Sequence, residues 1–312
     1  MAFPIEEKLV IAVSSSALFD LSEPDRVFRT QGEDAYRAYQ RTHEHEPLPA
    51  GVAFPFVKRL LSLNGIEASD RPVEVVLLSR NDPDTGMRVM RSIEALSLDI
   101  TRAVFTSGRA PWPYLPSFNA SLFLTAVRED VHEALELGHP AGCVLHGDIR
   151  DDSDAELRIA FDFDGVLADD AAERVYQEEG LARFQESEKA SASVALSPGP
   201  LKRLLEGLSA VQRLEQDRRT KDPSYVPRLR TAIVTARSAP AFERVVTTLR
   251  SWNLRVDHSF FLGGMDKRRI LDVWHPHIFF DDQMSHAGPA SASTPSVHVP
   301  FGVAGRRSLP SD

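Results

Sequence analysis

The strongest constraint on this chain is that it nearly repeats itself. Residues 11–32 lie over residues 159–180 without a gap, Ile159 standing 148 positions after Ile11. Ile-Ala, Arg-Val and Gly coincide, and Phe28 meets Tyr176, Asp25 meets Glu173 and Leu18 meets Val166, so size and polarity carry over. A second gapless block pairs residues 73–126 with 229–282 at a shift of 156 positions, and the "KRLL" that begins at Lys58 recurs at Lys202. Two blocks in the same order imply an internal duplication.

Apolar runs also come in pairs: "LVIAV" with "LRIAF", "VEVVLL" with "LRTAIV", "SLFL" with "HIFF", and "GCVL" with "SVHV". Between them lie helical stripes. Phe242, Val245, Val246, Leu249 and Trp252 share one helix face, and Val89, Met90, Ile93 and Leu96 take the matching places. Buried strands alternating with amphipathic helices make βαβ units around a parallel sheet. The expected fold is α/β: two tandem Rossmann-like halves with parallel sheets flanked by helices. The first domain is expected over residues 1–148 and the second over 157–312, joined by the acidic, exposed linker 147–156. With 42% apolar residues the chain can bury a sizeable core. From Ala287 the tail, rich in Pro, Ser and Ala, offers one strand candidate and is expected to end flexible.

A formal net charge of -9 leaves no broad basic face for nucleic acid or an anionic membrane. No apolar run approaches the roughly 18–20 residues of a membrane-spanning helix. Glu6 and Glu7 ahead of a short apolar run argue against a secretory signal. Cys143, the single cysteine, excludes an internal disulfide and suits a reducing compartment. A soluble, cytoplasmic protein is the expectation.

Candidate chemistry gathers in the second half. In "AFDFDGVL" an apolar strand ends in Asp162, with Asp164 two residues on and Gly165 behind it, and ligands of parallel sheets bind beyond the carboxyl ends of the strands. "TAIVT" ends in Thr235, where Ser238 is an N-cap candidate and Pro240 suits a first helical turn, so that a helix start offers an anion site. "FLGGMDKRRIL" places Lys267 at a helix start, and "HIFFDDQ" delivers Asp281 and Asp282 from a third strand end. Taken singly, Lys267 with Arg268 and Arg269 reads as a solvated helix face, Thr235 as a strand-end hydroxyl and His286 as a surface or core histidine. Arg237 either assists phosphate binding or pairs with a carboxylate. Together, in this order, the residues supply the parts that phosphoryl transfer needs.

That order resembles the four motifs of the haloacid dehalogenase superfamily of phosphohydrolases. "VVLLSRNDPDTGMRVMRSI", "LDITRAVFTSG", "VTARSAPAFERVV", "LGGMDK" and "FFDDQ" further resemble the cytosolic type-I 5′-nucleotidase family over most of the chain. The resemblance implies magnesium-dependent removal of phosphate from nucleoside 5′-monophosphates, AMP above others, with deoxynucleotides or IMP open. It also implies a homo-oligomer and activation by a nucleotide effector. "DFDG" departs from the "DGDA" of that family and keeps both acids.

On this reading Asp162 attacks phosphorus and forms an aspartyl phosphate, and Asp164 protonates the leaving oxygen and then takes a proton from water. Magnesium suits hard oxygen ligands from Asp162, the Asp164 carbonyl, and Asp281 or Asp282. Lys267 and Thr235 hold the phosphoryl oxygens. Gly165, Ala236 and Arg237 are candidates for further substrate contacts. Residues 168–228 form an insert expected to cap the site, with a helix bearing Tyr176 and Phe184, which either stack on a base or pack in the core, and a mobile loop in "SEKASASVALSPGP".

In the first half Ser14 and Ser16 replace Asp162 and Asp164, Ser79 replaces Thr235, Pro111 replaces Lys267, and Thr125 and Ala126 replace the aspartate pair. This half is read as a retired copy. Its serines either seat a nucleotide effector or only pack, and Arg80, Asn81 and Asp82 are candidates for reaching across to the substrate. The competing functions are a phosphatase of sugar or other small phosphates and a nucleotide-binding regulator without turnover.

Overall fold

The computed structural model describes residues 3–66, 71–147, 149, 151 and 154–307. The first half runs β1 (Leu9–Val13), α1 (Ser15–Leu18), α2 (Ser22–Gln31), α3 (Glu33–Thr42), α4 (Phe54–Ser62), β2 (Val73–Ser79), α5 (Met87–Ala95), β3 (Arg102–Phe105), β4 (Leu122–Thr125), α6 (Arg128–Glu136) and β5 (Ala141–Val144). The second runs β6 (Leu157–Phe161), α7 (Ala171–Ala190), α8 (Lys202–Lys221), β7 (Leu229–Thr235), α9 (Phe242–Ser251), β8 (His258–Phe261), α10 (Arg268–Trp274), β9 (Ile278–Asp281), α11 (Met284–Ala290), β10 (Ser296–His298) and α12 (Gly302–Arg307).

All ten strands join one sheet, in the order β3-β2-β1-β4-β5-β10-β9-β6-β7-β8. Two separate sheets were the sequence expectation. Instead the edge strand of each half pairs with that of the other, Val144 opposite Val297 and Cys143 opposite His298, and this pairing is antiparallel where the other strand pairs among the described residues are parallel. Pairing covers two edges that would otherwise offer free backbone groups. The tail beyond Ala287 therefore supplies a central strand, and its last residues, 308–312, lie outside the described ones.

The inner strands are apolar nearly throughout because helices cover both faces; β1 is buried at all five positions. Matching places carry matching structure. β6 follows β1 by the same 148 positions as the sequence blocks, and β7, β8 and β9 follow β2, β3 and β4 by 156. α2 and α3 meet at Gly32 (φ 86°, ψ -177°), and α7 kinks at Gly180 (φ 83°, ψ 177°), the residue 148 positions later. Across each bend an aromatic pair meets edge to face, Phe28 with Tyr36 at 5.7 Å and Tyr176 with Phe184 at 6.1 Å. Leu48 donates its N–H to Ser92 Oγ at 2.9 Å, as Leu196 does to Thr248 Oγ1 at 3.0 Å.

The segment 168–228 is not one cap. Leu201, Leu204, Leu205, Leu208 and Val211 fall at helical spacing, and all are buried, so α8 lies against the sheet. It packs on β7 and reaches β1, where Gly207 comes close enough to Leu9 that a Cβ would stand 2.6 Å from its Cδ1. α4 does the converse, packing on β2 and touching β6. The stretch expected as a mobile loop is helical to Ala190, and Leu196 beyond it is buried. Of the acidic linker, positions 148, 150, 152 and 153 lie outside the described residues, while Asp151 pairs with Lys58 and Arg59 of α4. Among the described residues no helix is long and apolar enough to cross a membrane.

Candidate active site

Three strand ends and one helix start meet at the carboxyl edge of the second half. Asp162 follows β6 and stays in the ladder through its N–H, which donates to Phe280 O at 2.8 Å. Its Oδ1 accepts from Phe163 N–H at 2.7 Å and its Oδ2 lies 2.8 Å from Lys267 Nζ. Lys267 stands at the N-cap of α10 and donates also to Asp281 Oδ2 at 2.6 Å, at the end of β9. All three side chains are buried.

Burial sets their protonation. It pushes the Asp162 carboxyl up to about 7, against the pull of Lys267 and with the help of the Asp281 charge. Burial works to lower the Lys267 ammonium, but Asp162 and Asp281 outweigh it and leave it raised. Asp281 is also penalised by burial, yet Lys267 and His286 hold it below the usual carboxylate range. Asp282, buried and facing Asp281 and Asp162, is held well above it.

The cluster is thus rich in carboxylates, with one lysine among them. Asp282 Oδ1 is buried and has no hydrogen-bond partner among the described residues. Gly165 makes room for this residue: at φ 72° it turns the chain so closely that a Cβ would sit 2.6 Å from Asp282 Oδ2. Ligand atoms of Asp162, Asp281 and His286 lie within 4.8 Å of one another, with His286 Nδ1 3.6 Å from Asp281 Oδ1. A buried oxygen without a partner beside two more carboxylates is a donor set that suits a hard cation. His286, read from sequence as a surface or core histidine, is therefore at the site.

Asp164 faces elsewhere. Arg237 grips it with two parallel bonds, Nε to Oδ2 and Nη2 to Oδ1, both 2.7 Å. Of the two readings of Arg237, pairing with a carboxylate is the one seen. Its remaining nitrogen reaches Glu188 of α7 and Ala241 O, and Glu188 Oε1 lies 2.6 Å from Arg244 Nη1. Phe163 and Phe184 stand 5.6 and 5.5 Å from the guanidinium. Glu188 was missed from sequence because it sits in the stretch taken for a loop. Its signal was the 148-position repeat, continued past Gly180.

Thr235, buried, accepts at Oγ1 from Arg237 N–H at 3.2 Å. The turn after it is held by Gly263 and Gly264, whose N–H groups donate to Arg237 O and Ala236 O. Ser238 is not an N-cap: α9 starts beyond Ala241 with no side-chain cap, because the chain after Ser238 first makes a further turn. Phe184 packs on the core, whereas Tyr176 is 46% exposed.

The first-half candidates are engaged within their own half. Ser14 Oγ meets Ser16 Oγ, and Ser15 Oγ meets Ser79 Oγ, each at 3.0 Å. Arg80 pairs with buried Asp130, Asn81 donates to Thr85 O, and Asp82 pairs with Arg37. None of these contacts reaches across to the second half.

A mostly parallel sheet flanked by helices, with carboxylates and a lysine gathered at its carboxyl edge, is an arrangement that can bind and attack a phosphoryl group. The sequence profile of the 5′-nucleotidase family matches residues 1–306, and the chain belongs to that family. It is 37% identical over 286 residues to cytosolic 5′-nucleotidase 1B of Homo sapiens, covering 89% of this chain and 46% of that protein. The chain thus spans about half the length of the curated relative it matches. No solved structure matches it significantly.

Proposed function

We propose that this chain is a phosphohydrolase of the haloacid dehalogenase type that releases phosphate from nucleoside 5′-monophosphates, with AMP-like substrates first. The observation that carries the reading is the buried Asp162–Lys267–Asp281 cluster beside the unpartnered Asp282 oxygen, in a chain of the 5′-nucleotidase family. Asp162 Oδ attacks phosphorus, the bond to O5′ breaks, and an aspartyl phosphate forms. Asp164 gives a proton to the departing O5′ and then takes one from the water that hydrolyses the acyl phosphate. Its bidentate bond to Arg237 leaves each oxygen a lone pair for that proton. Lys267 and Thr235 stabilise the charge on the transferring group.

The donor set fits magnesium, which Asp162, Asp281 and Asp282 would hold. When bound it supplies neutralisation and orientation of the phosphoryl oxygens. α7, with Phe184 and Glu188 against Arg237, is the part of the expected cap that closes over the reacting groups. The two halves are copies of one ancestral unit, and the mutual bonding of the first half's serines favours packing over an effector seat.

The test is phosphate release from AMP, IMP, deoxynucleotides and a sugar phosphate, with magnesium or with chelator, for wild type and Asp162→Asn. Magnesium-dependent release from nucleoside monophosphates, reduced at least about 10³-fold in the variant, is the expected result. Release from sugar phosphate alone points to the competing phosphatase, and no release at all to a binding protein.

A further inference from the structure

We propose that Glu188 is a positioning residue, which from α7 fixes the Arg237 guanidinium in the pose that presents Asp164 to the leaving oxygen. The inference rests on the phosphohydrolase reading. Four charges form a chain: Asp164 to Arg237 by two bonds, Arg237 to Glu188, and Glu188 to Arg244. Glu188 is 1% exposed and Arg237 4%. Burying such a chain costs desolvation that packed apolar side chains would avoid, so stability alone is a weak reason to have it.

The first half supplies an internal control. At the matching positions it has Gln40 for Glu188, Asn81 for Arg237, Ser16 for Asp164 and Arg88 for Arg244. Arg88 Nη1 still donates to Gln40 Oε1, at 3.3 Å, so the contact between the two helices survives without the carboxylate. What disappears with the catalytic acids is the charged path from position 188 to position 164. The fold needs a polar group here, and only the half with the acids makes it an anion.

Geometry says what the anion does. Arg237 uses one edge of its guanidinium for Asp164 and its remaining nitrogen for Glu188 and Ala241 O. With Glu188 charged, the guanidinium is pulled from both ends between the Phe163 and Phe184 rings and has one pose. A neutral side chain removes one pull, and the acid is left on a looser support. Misplacement of a reacting group by about 1 Å is enough for roughly 10²-fold in rate.

The experiment compares Glu188→Gln, Glu188→Asp and Arg244→Met with wild type, reading kcat, KM and Tm with the nucleoside monophosphate that wild type turns over best. Gln is isosteric and is the residue in this contact in the first half. The expected result is a kcat about 10- to 100-fold lower in Glu188→Gln with KM within about twofold, and partial recovery in Glu188→Asp. Arg244→Met, which removes the partner on the side away from Asp164, is expected to lower Tm at least as far as Glu188→Gln while kcat stays within about threefold. The proposal is overturned if kcat in Glu188→Gln stays within threefold of wild type. It is equally overturned if Glu188→Asp recovers nothing, or if Arg244→Met loses as much kcat as Glu188→Gln. Wild type without turnover would overturn the phosphohydrolase reading and this proposal with it, whereas an active wild type matched by Glu188→Gln would overturn this proposal alone.

Discussion

The two carboxyl edges of this sheet share a frame and differ in what stands on it. At the edge of β6, β7 and β9, Asp162, Lys267 and Asp281 form a buried cluster in which burial and mutual charge shift every protonation equilibrium. At the edge of β1, β2 and β4, Ser14, Ser15, Ser16 and Ser79 bond to one another as neutral hydroxyls. The turns differ accordingly. Gly165 takes φ 72° to pass Asp282, whereas its counterpart Ala17 lies in the short helix α1. The lesson is that the strands, the glycine bend and its aromatic pair recur in both halves, whereas the buried cluster of charges stands at one edge alone.

The sharpest way to break the comparison is to remove the lysine. Lys267→Met leaves Asp162, Asp281 and Asp282 buried without their cation. Phosphate release is expected to fall about 10²- to 10³-fold, and chemical unfolding to show a loss of about 3–5 kcal/mol, the cost of breaking a buried pair from one side. Unchanged turnover would mean that the cluster is structural, and the second half would then be no more catalytic than the first.

The glycine kinks test the frame itself. Gly32 and Gly180 hold φ and ψ values open essentially to glycine alone, and among the described residues nothing beyond the adjoining chain comes within 4 Å of where a Cβ would stand, so alanine meets strain without clash. Gly32→Ala and Gly180→Ala are each expected to cost about 1–3 kcal/mol. Only Gly180→Ala is expected to lower kcat, because only α7 carries Phe184 and Glu188 to Arg237. Equal kcat losses would show that the two bends serve the same site.

Strand ends were legible because three of the candidates stand where an apolar run stops: Asp162 after "LRIAF", Thr235 after "LRTAIV", Asp281 after "HIFF". The central antiparallel junction was not, since the pairing of β5 with β10 depends on which edges the rest of the fold leaves open, and no local pattern records that. α8 was misread from the length of its segment, although its leucines carried the helical period. Glu188 hid in Ser- and Ala-rich composition, which resembles a loop; only continuing the repeat beyond Gly180 aligns it with Gln40. His286 read as an ordinary histidine, because its place beside Asp281 comes from the turn into α11 and no local pattern marks it.

The smallest expected effect sharpens the comparison most finely, because it concerns one hydroxyl in each half. Ser79 Oγ and Thr235 Oγ1 each accept an N–H from the residue two positions on, at 3.1 and 3.2 Å. Ser79→Ala also removes the bond to Ser15, and Thr235→Ala removes a hydroxyl next to the proposed phosphoryl site. Each substitution deletes a buried bond worth about 1 kcal/mol net, so thermal unfolding is expected to move by a similar small amount in both. Turnover should separate them: Ser79→Ala within about twofold of wild type, Thr235→Ala at least about tenfold lower. A fall in kcat for Ser79→Ala at unchanged stability would give the first half's hydroxyls a part in turnover, and the reading of that edge as packing alone would have to be abandoned.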